Sequence, residues 1–91
     1  MTATPERQRA RRALANLRSF VRRPGLTGWV GERSARHNYE RALAAVIAVE
    51  DVEGVDAAAD LGERLTALRD EARAAGLLTP ADELDAGRAV L

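Results

Sequence analysis

Apolar residues recur along the first part of the chain at intervals of three and four: Ala10, Ala13, Leu14, Leu17, Phe20 and Val21. That spacing gathers them on one face of a helix. Thr4-Pro5-Glu6 supplies its opening: a hydroxyl N-cap, a proline that fits the first turn, and an acid at the positive end of the helix dipole. Pro24-Gly25 supplies its stop. The pattern predicts a first helix over residues 5–23. Gly25, Gly28 and Gly31 then fall within seven residues, which predicts a structured loop with Trp29 plugged into the core.

A second helix is expected over about 32–50. Tyr39, Ala42, Leu43, Val46 and Val49 line one side, and apolar or small residues cover much of the other from position 42 on. A helix apolar nearly all round reads as a central one. Near its start Glu32, Arg36 and Glu40 form an i,i+4 ladder. Residues 50–56 read as an acidic turn around Gly54, with Asp56 as the N-cap of a third helix over about 57–75. Ala58, Leu61, Leu65, Leu68, Ala72 and Ala75 form its seam, suited to shallow packing against the second helix. Gly76 is placed to take a left-handed cap, and Leu77 and Leu78 to tie the following chain down. Thr79-Pro80-Ala81-Asp82 repeats the opening grammar and predicts a short helix over about 80–89 with Leu84 inward. No segment shows the β-branched alternation of a strand. The expected fold is all-α: a small single-domain bundle of three principal helices with a short fourth.

Ninety-one residues make one domain, 1–91, rather than two. Much of the apolar fraction is alanine, and Phe20, Trp29 and Tyr39 are the three aromatic residues, so the core is thin and burial against another copy or another protein would help it. The longest apolar run, Ala42 to Val49, is far short of the roughly 20 residues that span a bilayer. No hydrophobic stretch precedes Leu14, so no secretion signal is read, and the expected location is the cytoplasm or an assembled particle. Cysteine is absent, which removes disulfides and thiolate chemistry.

Charge changes the picture most. The formal net charge is zero, yet residues 1–49 hold ten arginines against three acids and residues 50–91 eleven acids against four arginines. The basic half, 1–49, and the acidic half, 50–91, point to a partner surface or to self-association, head to tail as rings or filaments. The competing expectation is neutralisation within the molecule, if the acidic third helix lies beside the basic first one.

Chemistry of the catalytic kind has little to stand on. The one histidine, His37, sits a helical turn from Arg33 and Arg41 and reads as a solvated residue. The glycines of 25–31 lack the lysine or βαβ setting of a phosphate loop. Asp82, Glu83 and Asp85 read as acids complementing a helix N-terminus rather than as cation ligands. The expectation is a non-enzyme without cofactor or metal.

The candidate contact residues are Arg7, Arg11, Arg12, Arg18, Arg22 and Arg23 for an acidic surface or polyanion, because guanidinium forks match carboxylates and phosphates. Trp29 is the candidate hydrophobic anchor, and Asp51, Glu53, Asp60, Asp70 and Glu71 the candidate acidic surface. The expected function is that of a small helical adaptor or structural subunit acting through protein–protein contacts, as a homo-oligomer or a subunit of a larger bacterial or phage assembly. The alternative is a nucleic-acid-binding regulator or antitoxin-like module, with the first helix on DNA and the acidic half on a protein. Against it, Gln8 and Asn16 are the only amides on that helix, and no aromatic is interleaved for stacking.

Overall fold

A computed structural model describes residues 4–23 and 28–78, with the backbone alone at 28–30 and 32. Three helices follow in order: α1 (Pro5–Val21), α2 (Gly28–Glu53) and α3 (Ala59–Ala74). No strand occurs among the described residues. The expected helix over 80–89, with Leu84 and the Thr79 cap, lies outside them, as do residues 24–27.

The opening of α1 forms as its sequence implies. Thr4 is the N-cap, its hydroxyl accepting from the Arg7 N–H at 3.2 Å, and Pro5 occupies the first turn. The helix ends two residues earlier than expected, with Arg22 as C-cap. Pro24 accounts for the shortfall, since a residue before proline is pushed out of helical geometry.

Helix α2 is longer than its pattern predicted at both ends. It begins at Gly28 instead of leaving 25–31 as a loop, so the expected loop is corrected. The reason lies in the buried series Gly31, Ala35, Tyr39, Ala42, Val46 and Val49, which carries the core seam one turn further back. Burial of Gly31 on that line works against the roughly 1 kcal/mol that a glycine costs in a helix. At the other end the helix runs through Glu50 and Asp51 and stops at Glu53, before Gly54 at φ +96. The acids expected in a turn are therefore the last turn of α2, at the negative end of its dipole, where they are locally unfavourable.

Residues 55–58 form the turn into α3. Asp56 does not cap that helix: Ala58 is the N-cap, with no side-chain hydrogen bond, and the Asp56 carbonyl accepts from the Ala59 N–H. The turn is tight enough that Ala58, fully buried, begins the seam instead. At its far end α3 closes as expected. Gly76, at φ +76, donates to the Arg73 carbonyl and Leu77 donates to the Ala72 carbonyl, a Schellman motif that leaves Leu77 and Leu78 buried and Ala75 exposed.

The three seams meet in one core. Ala10, Leu14, Leu17 and Val21 come from α1, Ala35 to Val49 from α2, and Ala58, Leu61, Leu65, Leu68 and Ala72 from the α3 region, with Phe20, Ala13 and Leu43 packed at its margin. Arg7 at the start of α1 reaches Glu53 and Asp60, and Arg22 at its end reaches Glu71. Helices α1 and α3 therefore run parallel, with α2 antiparallel to both. Helix α3 lies against α1 as well as α2, as the expectation of neutralisation within the molecule required. By contrast, α2 is not covered all round: Ala44 and Val52 are exposed among the described residues. Its 26 residues, about 39 Å at 1.5 Å each, set the 41 Å length of a molecule 16 Å thick.

Candidate functional site

The arginines of α1 divide into two groups. Arg7 and Arg22 are held by the chain's own acids. The Arg7 Nε donates to Glu53 Oε1 at 3.3 Å, Nη1 lies 3.4 Å from both Asp60 oxygens, and Nη2 donates to the Ala57 carbonyl. The Thr4 hydroxyl completes this node by donating to Glu53 Oε2 at 2.8 Å. One guanidinium thus ties the first turn of α1 to the end of α2 and the start of α3. At 14% exposure the Arg7 side chain is the most enclosed ion-pair partner described.

The Asp60 carboxyl feels the node. Desolvation works to raise it, but the Leu61 N–H, the Arg7 charge and the Arg7 hydrogen bonds together hold it below its ordinary value. At the other end Arg22 forms a two-pronged pair with Glu71, Nε to Oε1 at 3.1 Å and Nη2 to Oε2 at 3.3 Å, with both side chains about half in solvent. The neutralisation of α1 by α3 is real at these two points.

The other arginines of this segment behave differently. Arg9, Arg11, Arg12, Arg18 and Arg23 are exposed, and their side chains make no hydrogen bond or ion pair among the described residues. Four of them line two grooves. The larger, about 730 Å³, runs between α1 and α3: Arg11, Arg18 and Arg22 face Arg64 and Glu71 across a floor of Leu14 and Leu68. The smaller, about 250 Å³, runs between α1 and α2 and brings Arg9, Arg12 and Asn16 together with Asn38 and Arg41. No acid lines it among the described residues.

Arg9, Arg41 and Arg64 were not singled out from sequence. They follow from knowing that α2 is antiparallel to α1 and α3 parallel to it, which spacing within a single helix does not reveal. Of the acidic candidates, Glu53, Asp60 and Glu71 belong to the internal pairs, Asp70 lies 3.4 Å from its neighbour Arg69, and Asp51 is exposed with no partner among the described residues. The Trp29 side chain lies outside what the structure describes, although its backbone falls in the first turn of α2. The predicted Arg36–Glu40 contact is present at 3.2 Å, and His37 is exposed beside it. Among the described residues no three His, Cys, Asp or Glu side chains converge as metal ligands do, and no helix is long and apolar enough to cross a membrane. Compared with protein-family models, with curated protein sequences and with solved structures, the chain matches none.

Proposed function

We propose that this chain is a non-catalytic helical adaptor or structural subunit, acting by protein–protein contact, with the outer surface of α1 offered to an acidic partner. The observation that carries the reading is the division of the arginines: two are spent on the chain's own acids, and five are left exposed and unpaired among the described residues. Unpaired guanidiniums kept in water steer an anionic partner inward and select it by fork geometry. The groove between α1 and α3 adds an apolar floor of Leu14 and Leu68 beneath its arginine rim. An acidic protein surface that also presents apolar side chains uses both parts of such a groove, whereas a phosphate chain uses only the rim. A cytoplasmic site of action, or one within an assembled particle, belongs to the same proposal.

Native mass measurement of complexes pulled down with the full chain tests it. A complex of defined mass is expected, lost when Arg11, Arg12, Arg18 and Arg23 are changed together to Ala while helical content is kept. A quadruple variant that retains the complex would exclude α1 as the contact face.

The acid-free groove between α1 and α2 favours a second reading, nucleic-acid binding, because Arg9, Arg12 and Arg41 face one another there without a carboxylate among them. Duplex DNA titrated at two salt concentrations separates the readings. Micromolar affinity that falls steeply between about 50 and 200 mM salt replaces the adaptor reading. Absence of binding at the lower salt removes the nucleic-acid one.

A further inference from the structure

The face of α2 turned away from the core is apolar in the middle and oppositely charged at its two ends. Ala44 is exposed there and Ile47 and Ala48 are half-buried; past Asp51, Val52 near the end of the helix is 58% exposed and Val55, in the turn after it, 69%. Nothing among the described residues covers this stretch. Arg41, at the edge of the α1–α2 groove, precedes it and Asp51 closes it; both are exposed, and neither has a partner among the described residues. Each stands five residues from Val46, one before and one after, so each is about 7.5 Å from that level along the axis. Towards the start of α2 stand Arg33, Arg36 and Arg41, with Arg36 held by Glu40, and towards its end Glu50 and Asp51.

A face with this layout is complementary to itself only when turned end for end. Two copies of α2 placed antiparallel, with the two-fold axis at the level of Val46, bring each Arg41 level with the other copy's Asp51 and each Ala44 level with the other's Ala48. A parallel pair would oppose arginine to arginine and acid to acid. We propose that α2 pairs antiparallel with α2 of a second copy of this chain, closing an isologous dimer. The alanines at the crossing allow the helices to approach at the near end of the usual 8–10 Å range. The Arg41–Asp51 contacts, made twice, set the register. One helix pair is a small interface, under the roughly 1,200 Å² of a standard one, so the dimer is a weak, concentration-dependent one. It closes on itself, unlike a head-to-tail chain, and it leaves the arginines of α1 free.

Sedimentation equilibrium of the full chain in low salt, from micromolar to millimolar concentration, tests the proposal. The wild type is expected to pass from monomer to dimer and no further. Arg41→Asp and Asp51→Arg each place like charges at both contacts and are expected to weaken the dimer at least about tenfold. An equimolar mixture of the two single variants restores opposite charges at both contacts, as does the double variant on its own. Both are expected to associate as the wild type does. Circular dichroism checks that the variants keep their helices, which these exposed positions permit. A wild type that stays monomeric, species larger than a dimer, single variants that associate unchanged, or a mixture that fails to recover would each overturn the proposal. The quadruple α1 variant is expected to dimerise normally, so failure of the adaptor reading and failure of the dimer are read separately.

Discussion

Arg7 and Arg22 are the same residue type on the same helix, paired with the same kind of acid, and their worth differs because their surroundings differ. Arg7 is 14% exposed and satisfies a glutamate, an aspartate and a carbonyl at once, whereas Arg22 holds one glutamate half in solvent. Charge-assisted hydrogen bonds in an enclosed setting contribute more than an exposed pair, which is screened and entropically taxed. Arg7→Ala is expected to lower unfolding free energy in urea by about 2–3 kcal/mol, and Arg22→Ala by about 0.5 kcal/mol.

Asp60 adds a pH signature. Its folded carboxyl sits below its unfolded value, so the stabilisation it brings is complete above that value and is lost as pH falls through the folded pKa. The stability gap between wild type and Asp60→Asn is therefore expected to be constant between about pH 5 and 7 and to close as the pH drops below about 4. Thermal unfolding of both proteins across that range measures it.

At the level of elements, the two described residues with left-handed backbone, Gly54 and Gly76, mark where helices end. Gly76 meets nothing within 4 Å at the position of a Cβ, so a side chain there suffers from the backbone dihedral and not from crowding. Gly76→Ala is expected to cost about 1–2 kcal/mol in urea unfolding. This end was legible in sequence because the Schellman signal is local: glycine after the last seam residue, then a leucine that folds back. The seams of α1 and α3 were legible for the same reason, since a helix buried on one side displays its periodicity.

What misled was local chemistry overruled at a distance. Gly28 and Gly31 read as breakers, but Gly31 lies on the buried line of α2 and is carried into the helix by packing. Asp56 has the right side chain for an N-cap and the wrong place, because Gly54 turns the chain so that Ala58 enters the core first. The grooves were half legible. The arginines of α1 stood out by density, while Arg41 and Arg64 on their far walls depend on a helix order that spacing does not encode.

Taken whole, the molecule sets its basic half beside its acidic half without cancelling them. The +7 and −7 halves of the sequence meet at the two ends of the α1–α3 contact, and between those ends the arginines of α1 face open grooves. Folding therefore converts a charge separation along the chain into one across the surface. The core beneath is thin, 16 Å through the molecule's shortest dimension, and Leu17, Leu61 and Val49 are its largest fully enclosed side chains. A domain of this length is expected to have only about 5–14 kcal/mol of stability. Leu17→Ala, at about 3 kcal/mol, should remove a large share of it and lower the melting temperature by well over ten degrees, or by about 4–8 degrees for each kcal/mol lost. Differential scanning calorimetry reads that shift directly.

The Arg7 node also has a consequence in time. Its partners lie 46 and 53 residues along the chain, so it forms only after α2 has turned back on α1 and the 54–58 turn has brought α3 alongside. Contacts that close such long loops come late, after the barrier has been crossed. Loss of the guanidinium should then leave the refolding rate nearly unchanged and accelerate unfolding. The arginine nearest the beginning of the chain acts as a latch: it does little to guide the helices together and much to decide how long they stay so.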